Sequence, residues 1–389
     1  MDLHAQISSG EYSLDGTAVI KTVEMHTGGE PTRIVVQGYP PLQGRTLLEK
    51  RAYAREHLDH IRQCLIREPR GHHDMYGAII VSETEKTQSG EADVGVLFCH
   101  NEGYSTMCGH ATIALGRLLV DTEDLSVFPR RKQVLFDEGR GESRIRLHAP
   151  CGVVDVTVPS VRAGERVRSD PGRDVQFVSV RSFAAATDVV VEVPEGLRWP
   201  ELRVAGRSAV TVDVAYGGAF YVVVQEKELG FERIREDGVD IKRLDAATAV
   251  VKQLVGAQKE VFAGHGLAEE LEYLYGVIVV DDGEGRAGLG GEAEGRLGVC
   301  FYADQAVDRS PTGSGVSARV ALARAKGLLG DGSRVRFDSV LSARRGGEAG
   351  AFTGSSAGAE RVRVGGRAFY TGACAFAVED DFARAGFVL

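Results

Sequence analysis

The sequence has no CxxC pair, no surplus of basic charge and no apolar run long enough to span a bilayer. Each absence narrows what the chain does. Its six cysteines, Cys64, Cys99, Cys108, Cys151, Cys300 and Cys374, lie far apart, which suits reduced thiols rather than a disulfide framework or a zinc ribbon. With 46 Lys and Arg against 55 Asp and Glu, the formal net charge is -9. A nucleic-acid binder needs clustered Lys and Arg to neutralise phosphates, so small molecules are the expected partners, not nucleic acid. The first ten residues lack a basic segment followed by an apolar run. A cytoplasmic location away from any membrane is therefore expected.

What remains is the composition of a folded chain, 43% hydrophobic and 26% charged over 389 residues. That length suits two domains of about 100–200 residues each. Short β-rich runs recur at Ile34 to Val36, Ala78 to Val81, Val94 to Phe98, Val153 to Val158, Phe220 to Val224, Val277 to Val280 and Val299 to Tyr302. The two most telling helical patterns begin at Met107-Cys108-Gly109-His110 and Pro311-Thr312-Gly313-Ser314-Gly315. Ile113, Ala114, Leu118 and Leu119 share a face of the first, and Val316, Val320 and Ala323 a face of the second. Aligning Cys108 with Thr312 also pairs Gly109 with Gly313 and Ala114 with Ala318, a hint of internal duplication. The polar, turn-rich stretch Arg162 to Asp174 reads as a domain boundary. Gly283 to Arg296 and Arg344 to Ala359 read as exposed, mobile loops.

A free cysteine is commonly a small buried apolar residue. Cys108, however, stands at a helix start beside a glycine, where the positive end of the helix dipole favours thiolate over thiol. Thr312 holds the equivalent place in the second half and reads also as a plain N-cap. Two such helix starts converging on one ligand offer backbone N–H groups to a carboxylate. The same donors stabilise the enolate-like charge left when an α-proton departs. Gly283-Glu284-Gly285-Arg286-Ala287-Gly288 has a dinucleotide-like spacing, but the residues after it lack a helical apolar face and place acids where pyrophosphate would lie, so no nucleotide cofactor is expected. His72-His73-Asp74 and Cys99-His100 have no second cluster at metal-site spacing, so no metal is expected either.

Met25-His26-Thr27-Gly28-Gly29-Glu30-Pro31, Gly71-His72-His73-Asp74-Met75, Met107-Cys108-Gly109-His110 and Asp308-Arg309-Ser310-Pro311-Thr312-Gly313-Ser314-Gly315 resemble the successive signatures of the proline racemase superfamily. Val212 to Gly218 and Phe352-Thr353-Gly354 add weaker matches. The resemblance implies an α/β (α+β) fold of the diaminopimelate-epimerase-like kind. In that fold two pseudo-symmetric domains each wrap a sheet around a central helix, with the active site in the cleft between them. Residues 1–170, completed by about 366–389, would form the N-terminal domain carrying Cys108, and 171–365 the C-terminal domain carrying Asp308 and Thr312.

The resemblance further implies cofactor-independent chemistry. Racemases and epimerases of the family flank the substrate α-carbon with two cysteines, of which the first matches Cys108 and the second is Thr312 here. An alcohol is a far weaker acid than a thiol, so reprotonation from that side is disfavoured. The Cys/Thr subgroup resembles the trans-3-hydroxy-L-proline dehydratases, hydro-lyases in which the carbanion expels the β-hydroxyl. By the same resemblance Asp308 would hold the ring ammonium. His110 and the amides of Gly109, Gly313 and Ser314 would contact the carboxylate or its surroundings. Ser314 stands where Thr is common and Ala219 where relatives often carry Asn, which leaves substrate detail open. Oligomeric state is open too, a homodimer included. The nearest rival is a proline racemase or 4-hydroxyproline 2-epimerase. A Cys108/His110 hydrolase is disfavoured because residues two apart at a helix start are not expected to face one another. A non-catalytic proline-binding module is the remaining alternative.

Overall fold

The computed structural model describes residues 18–232, 234, 240–281, 296–330, 332–378 and 386–388. The chain divides into two compact units, Met1–Val178 with Gly365–Leu389, and Ser179–Val364.

The first unit opens on a hairpin of β1 (Ala18–Thr27) and β2 (Glu30–Gln37). Between them lie Gly28 at φ 62° and Gly29 at φ 94°, the two left-handed residues that a tight type I′ turn demands. The next strands are β3 (Gly77–Val81), β4 (Val94–Cys99), β5 (Glu142–Ala149), β6 (Gly152–Ala163), β7 (Arg166–Ser169) and β8 (Val175–Val178). From β1 to β6 successive pairs are antiparallel, parallel, antiparallel, parallel and antiparallel. A parallel pair needs a crossover. Helices α1 (Leu47–His57) and α2 (Asp59–Ile66) lie on the first, and α3 (Gly109–Asp121) on the second. The C-terminal strand Ala368–Val378 pairs antiparallel with β1 and completes the unit.

The second unit repeats this plan. Its strands are β9 (Phe183–Glu192), β10 (Ala209–Tyr216), β11 (Phe220–Gln225), β12 (Leu274–Asp281), β13 (Arg296–Tyr302), β14 (Arg334–Asp338) and β15 (Phe352–Ser356). From β10 to β15 the pairs again run antiparallel, parallel, antiparallel, parallel, antiparallel. Helix α4 (Ile241–Gly256) lies on the first parallel crossover and α5 (Gly313–Ala325) on the second. Helices α3 and α5 each span 13 residues and start at the glycines that the Cys108–Thr312 alignment pairs. The duplication hinted at by a few residues is carried by the whole topology.

Both helices are core elements rather than amphipathic covers. In α3 every residue from Gly109 to Gly116 is buried, as are Leu118, Leu119 and Val120, so the apolar stripe in the sequence is only part of the buried surface. The helix packs on β1, β2, β6, β7, β8 and the C-terminal strand. A Cβ on Gly116 would meet a Val156 methyl at 2.7 Å, which shows how close the backbone comes to the sheet. Helix α5 is buried from Gly313 to Ala323 and packs on β9, β10, β11 and β15. A helix enclosed on all sides is the kind whose residues are small or apolar throughout. Truncating Leu115, which is fully buried, would leave a cavity costing roughly 2–5 kcal/mol.

Two polar stretches are not loops. Within Arg162 to Asp174, β6 runs on to Ala163, turns at Gly164 (φ 67°) and returns as β7, with Arg162 opposite Val167. Its polar composition reflects an exposed hairpin, and the chain passes from the first compact unit to the second shortly after it, between Val178 and Ser179. Arg344 to Ala359 contains β15, whose Phe352 is fully buried. Gly283 to Arg296, with the dinucleotide-like stretch, lies outside the described residues except for Arg296, the first residue of β13. Among the described residues no helix is long and apolar enough to cross a membrane.

Candidate active site

Cys108 is the N-cap of α3, with extended φ −143° and ψ 116°. Its Sγ accepts a hydrogen bond from the Ala111 N–H at 3.3 Å, so one of the unsatisfied donors of the first turn ends on sulfur. A donor and a helix dipole aimed at sulfur both favour negative charge there. The His110 ring faces the same atom, with Nδ1 3.2 Å from Sγ. This corrects the expectation that residues two apart would not meet. That rule holds within a helix, and Cys108, standing just outside it in extended conformation, turns its side chain back over the first turn.

His110 is held from several directions. Thr27 Oγ1 donates to the His110 carbonyl at 2.9 Å, and the ring hydrogen-bonds to the Pro31 carbonyl. The Tyr76 ring meets the imidazole edge-on at 4.7 Å, and the Tyr76 hydroxyl pairs with Ser105. Two motifs from the first hundred residues, Met25 to Pro31 and the tyrosine just after Gly71 to Met75, thus end on one histidine, a role that their spacing does not reveal. Burial drives the imidazole down to about 3, so it is neutral at physiological pH. A neutral imidazole carries one N–H and one acceptor nitrogen, and both of its nitrogens lie near the sulfur, Nδ1 at 3.2 Å and Nε2 at 3.5 Å.

Cys99, Cys151, His100 and His73 read as structural. Burial pushes the Cys99 and Cys151 thiols up to about 12. His100 Nδ1 accepts the Glu102 and Gly103 N–H groups, each at 3.3 Å. His73 lies between Asp74, 3.1 Å from Nδ1, and the Asn101 amide.

In the second unit Asp308, Thr312, Gly313 and Ser314 are gathered at the start of α5. The Ser310 N–H donates to Asp308 Oδ1 at 2.7 Å, and the Thr312 N–H to Ser310 Oγ at 3.2 Å. Burial pushes the Asp308 carboxyl up to about 6, against hydrogen bonding from Ser310 and Thr312 and the charge of Arg309. Thr312 occupies the N-cap position but does not cap. It has φ 63° and ψ 91°, and its hydroxyl accepts nothing from the helix. That hydroxyl is buried, close enough to Asp308 to favour its carboxylate, yet makes no hydrogen bond of normal geometry among the described residues. A β-branched residue at positive φ is strained, and such strain gathers at functional sites. The first-turn N–H groups of Gly313 and Ser314 have no acceptor within the helix.

The weaker motifs also end on α5. A Cβ on Gly217 would fall 2.1 Å from the Ser314 carbonyl oxygen, and one on Gly354 would fall 2.8 Å from a Val316 methyl. Both glycines stand where only a bare backbone fits.

A family model described as proline racemase matches residues 22–388. The chain belongs to the proline racemase family. Among its relatives, a trans-3-hydroxy-L-proline dehydratase from Homo sapiens is 42% identical over 383 residues, covering 96% of each chain. One from Bacillus cereus is 36% identical over 375 residues, covering 95% of this chain and 98% of the relative. Among solved structures, a hydroxyproline epimerase from Agrobacterium vitis with bound trans-4-OH-L-proline matches with a TM-score of 0.74 at 21% identity, covering 97% of both chains. At that identity the likeness establishes the fold, which is the one the sequence motifs implied.

Proposed function

We propose that this chain is a trans-3-hydroxy-L-proline dehydratase, and that Cys108 is its base. The observation that carries the reading is the unlike pair at the two helix starts, a thiol at 108 that receives a helix N–H and a hydroxyl at 312 that receives none. Cys108 as thiolate takes the α-proton, and the electron pair left on the α-carbon expels the 3-hydroxyl. The hydroxyl leaves with a proton as water, and the enamine tautomerises to 1-pyrroline-2-carboxylate. In the trans isomer the hydroxyl and the α-hydrogen share a ring face, so the protonated Cys108 can return its proton to the departing oxygen. Asp308 as carboxylate would hold the ring ammonium. The N–H groups of Gly109, Gly313 and Ser314 would take the substrate carboxylate and the charge that grows on it.

The short Cys108–His110 contact is the one observation that favours a thiol–imidazole hydrolase. Such an enzyme needs an imidazole that gains and returns a proton near neutrality. Burial that holds the imidazole well below its ordinary range opposes that proton transfer.

Incubation of the purified protein with trans-3-hydroxy-L-proline, followed by o-aminobenzaldehyde, should trap the cyclic ketimine. L-Proline should keep its configuration. Rapid racemisation of L-proline without ketimine from the hydroxylated substrate would overturn the reading in favour of a racemase.

A further inference from the structure

Ser314 is the second residue of α5, and a serine in a first turn commonly turns its hydroxyl to its own helix backbone. Here the hydroxyl reaches out of the helix instead. Its Oγ lies 2.7 Å from the phenol oxygen of Tyr221 on β11, and both residues are buried. Tyr221 is itself fixed. The Tyr275 ring meets it edge-on at 5.8 Å, and Tyr221 stands opposite Ala215 in β10 and Gly276 in β12. The turn that joins β10 to β11 also brings Gly217 against the Ser314 carbonyl. One strand pair thus holds Ser314 by its carbonyl side and by its hydroxyl.

We propose that Tyr221 is a positioning residue for substrate, acting through Ser314. This rests on the reading of the α5 start as the place that receives the substrate carboxylate. Two hydroxyls joined by one hydrogen bond carry a second hydrogen. Either hydroxyl can donate across this pair. In the arrangement in which the phenol donates to Ser314 Oγ, the second hydrogen is on the serine, in the same turn as the Gly313 and Ser314 N–H groups that have no acceptor within the helix. Tyr221 then sets the serine rotamer and leaves its O–H as one more donor to an anion, while the strand rather than the helix holds the alignment. The role belongs to ground-state binding. It adds nothing to proton transfer at the α-carbon, so it separates KM from kcat.

The test compares wild type, Tyr221→Phe, Ser314→Ala and the double variant on trans-3-hydroxy-L-proline. Tyr221→Phe keeps the ring and should raise KM about five- to tenfold with kcat within about twofold. In the Ser314→Ala background the same change should do nothing further. Equal losses in both backgrounds, or an unchanged KM in a folded Tyr221→Phe protein, would mean that the phenol serves packing alone and would overturn the proposal. A calorimetric titration of the Cys108→Ser protein, with and without Tyr221→Phe, reads the same effect on L-proline and trans-3-hydroxy-L-proline. Weaker binding of both upon Tyr221→Phe supports the proposal even if the wild type racemises rather than dehydrates, and unchanged binding overturns it even if dehydration is confirmed.

Discussion

The starts of α3 and α5 hold the same place in two units of the same strand order, yet their N-cap residues are wired differently. Cys108 has ordinary extended geometry, and its sulfur receives a helix N–H and faces an imidazole. Thr312 has a strained positive φ, its N–H is taken by Ser310, and its hydroxyl is left beside Asp308 rather than over the helix. The difference is one of activation as well as of element. An atom that receives first-turn donors is prepared to carry charge, and one turned away from them is not. Oxygen in place of sulfur lowers acidity on the Thr312 side, and the backbone there removes the environment that would compensate.

The comparison breaks most sharply at Cys108. Cys108→Ser replaces a thiol by an alcohol in the same donor environment, so it asks whether the environment alone suffices. Turnover of trans-3-hydroxy-L-proline should fall by more than about a thousandfold. Thermal stabilisation by the same compound should persist, because binding does not use the thiolate. Activity within tenfold of wild type would mean that another group is the base.

Much of this contrast is legible in the amino-acid sequence. The motifs at Cys108 and Thr312 mark both helix starts, and the seven apolar runs all fall in strands. Conformation at single residues is not legible there. Nothing in Pro311-Thr312-Gly313 announces a positive φ, and nothing in Cys108-Gly109-His110 announces that sulfur and imidazole meet, since both depend on how the chain enters the helix. Tertiary pairing hides other elements. β1 and the C-terminal strand Ala368–Val378 lie some 350 residues apart in sequence and gain their regularity from each other. Helix α4 carries no motif and escapes notice, although Leu244, Ala247, Val251 and Val255 repeat at helical spacing and are all buried. The polar hairpin β6–β7 is hidden inside the stretch that reads as a domain boundary, because its outward positions are solvated.

Asp308 gives a prediction of intermediate size in which stability and binding move in opposite directions. The fold raises its carboxyl from 3.8 to about 6, so the folded chain binds that proton more tightly than the unfolded one. Its contribution to stability is therefore complete below pH 3.8 and is lost as pH rises through about 6. At pH 8 the ligand-free protein carries a buried, ionised carboxylate that Asp308→Asn removes. The variant should melt about 2–4 °C higher at pH 8, with no such gain at pH 4. Affinity for imino acids, measured by titration at pH 8, should fall about a hundredfold because the ammonium loses its counter-charge. In the wild type KM should climb as pH drops below about 6, where Asp308 takes up its proton. An Asn variant that binds L-proline unchanged would remove Asp308 from the site.

The smallest effect is a gain, and it tests whether residue or environment sets the outcome at the second helix start. Thr312→Cys supplies the missing thiol and relieves the β-branch at positive φ, so the variant should fold at least as well as the parent. If identity were everything, it would racemise proline efficiently. The wiring argues otherwise. A thiol at 312 inherits a side-chain position that receives no helix N–H, so it should protonate the α-carbon slowly. Deuterium from solvent should enter L-proline with inversion at about a hundredth of the dehydration rate, or less. Fast inversion would show that the backbone at 312 rearranges to serve a thiol and that the contrast between the helix starts is only chemical. Complete absence of exchange in a folded variant would show that residue 312 does not face the α-carbon, and the likeness of the two helix starts would then be one of topology alone.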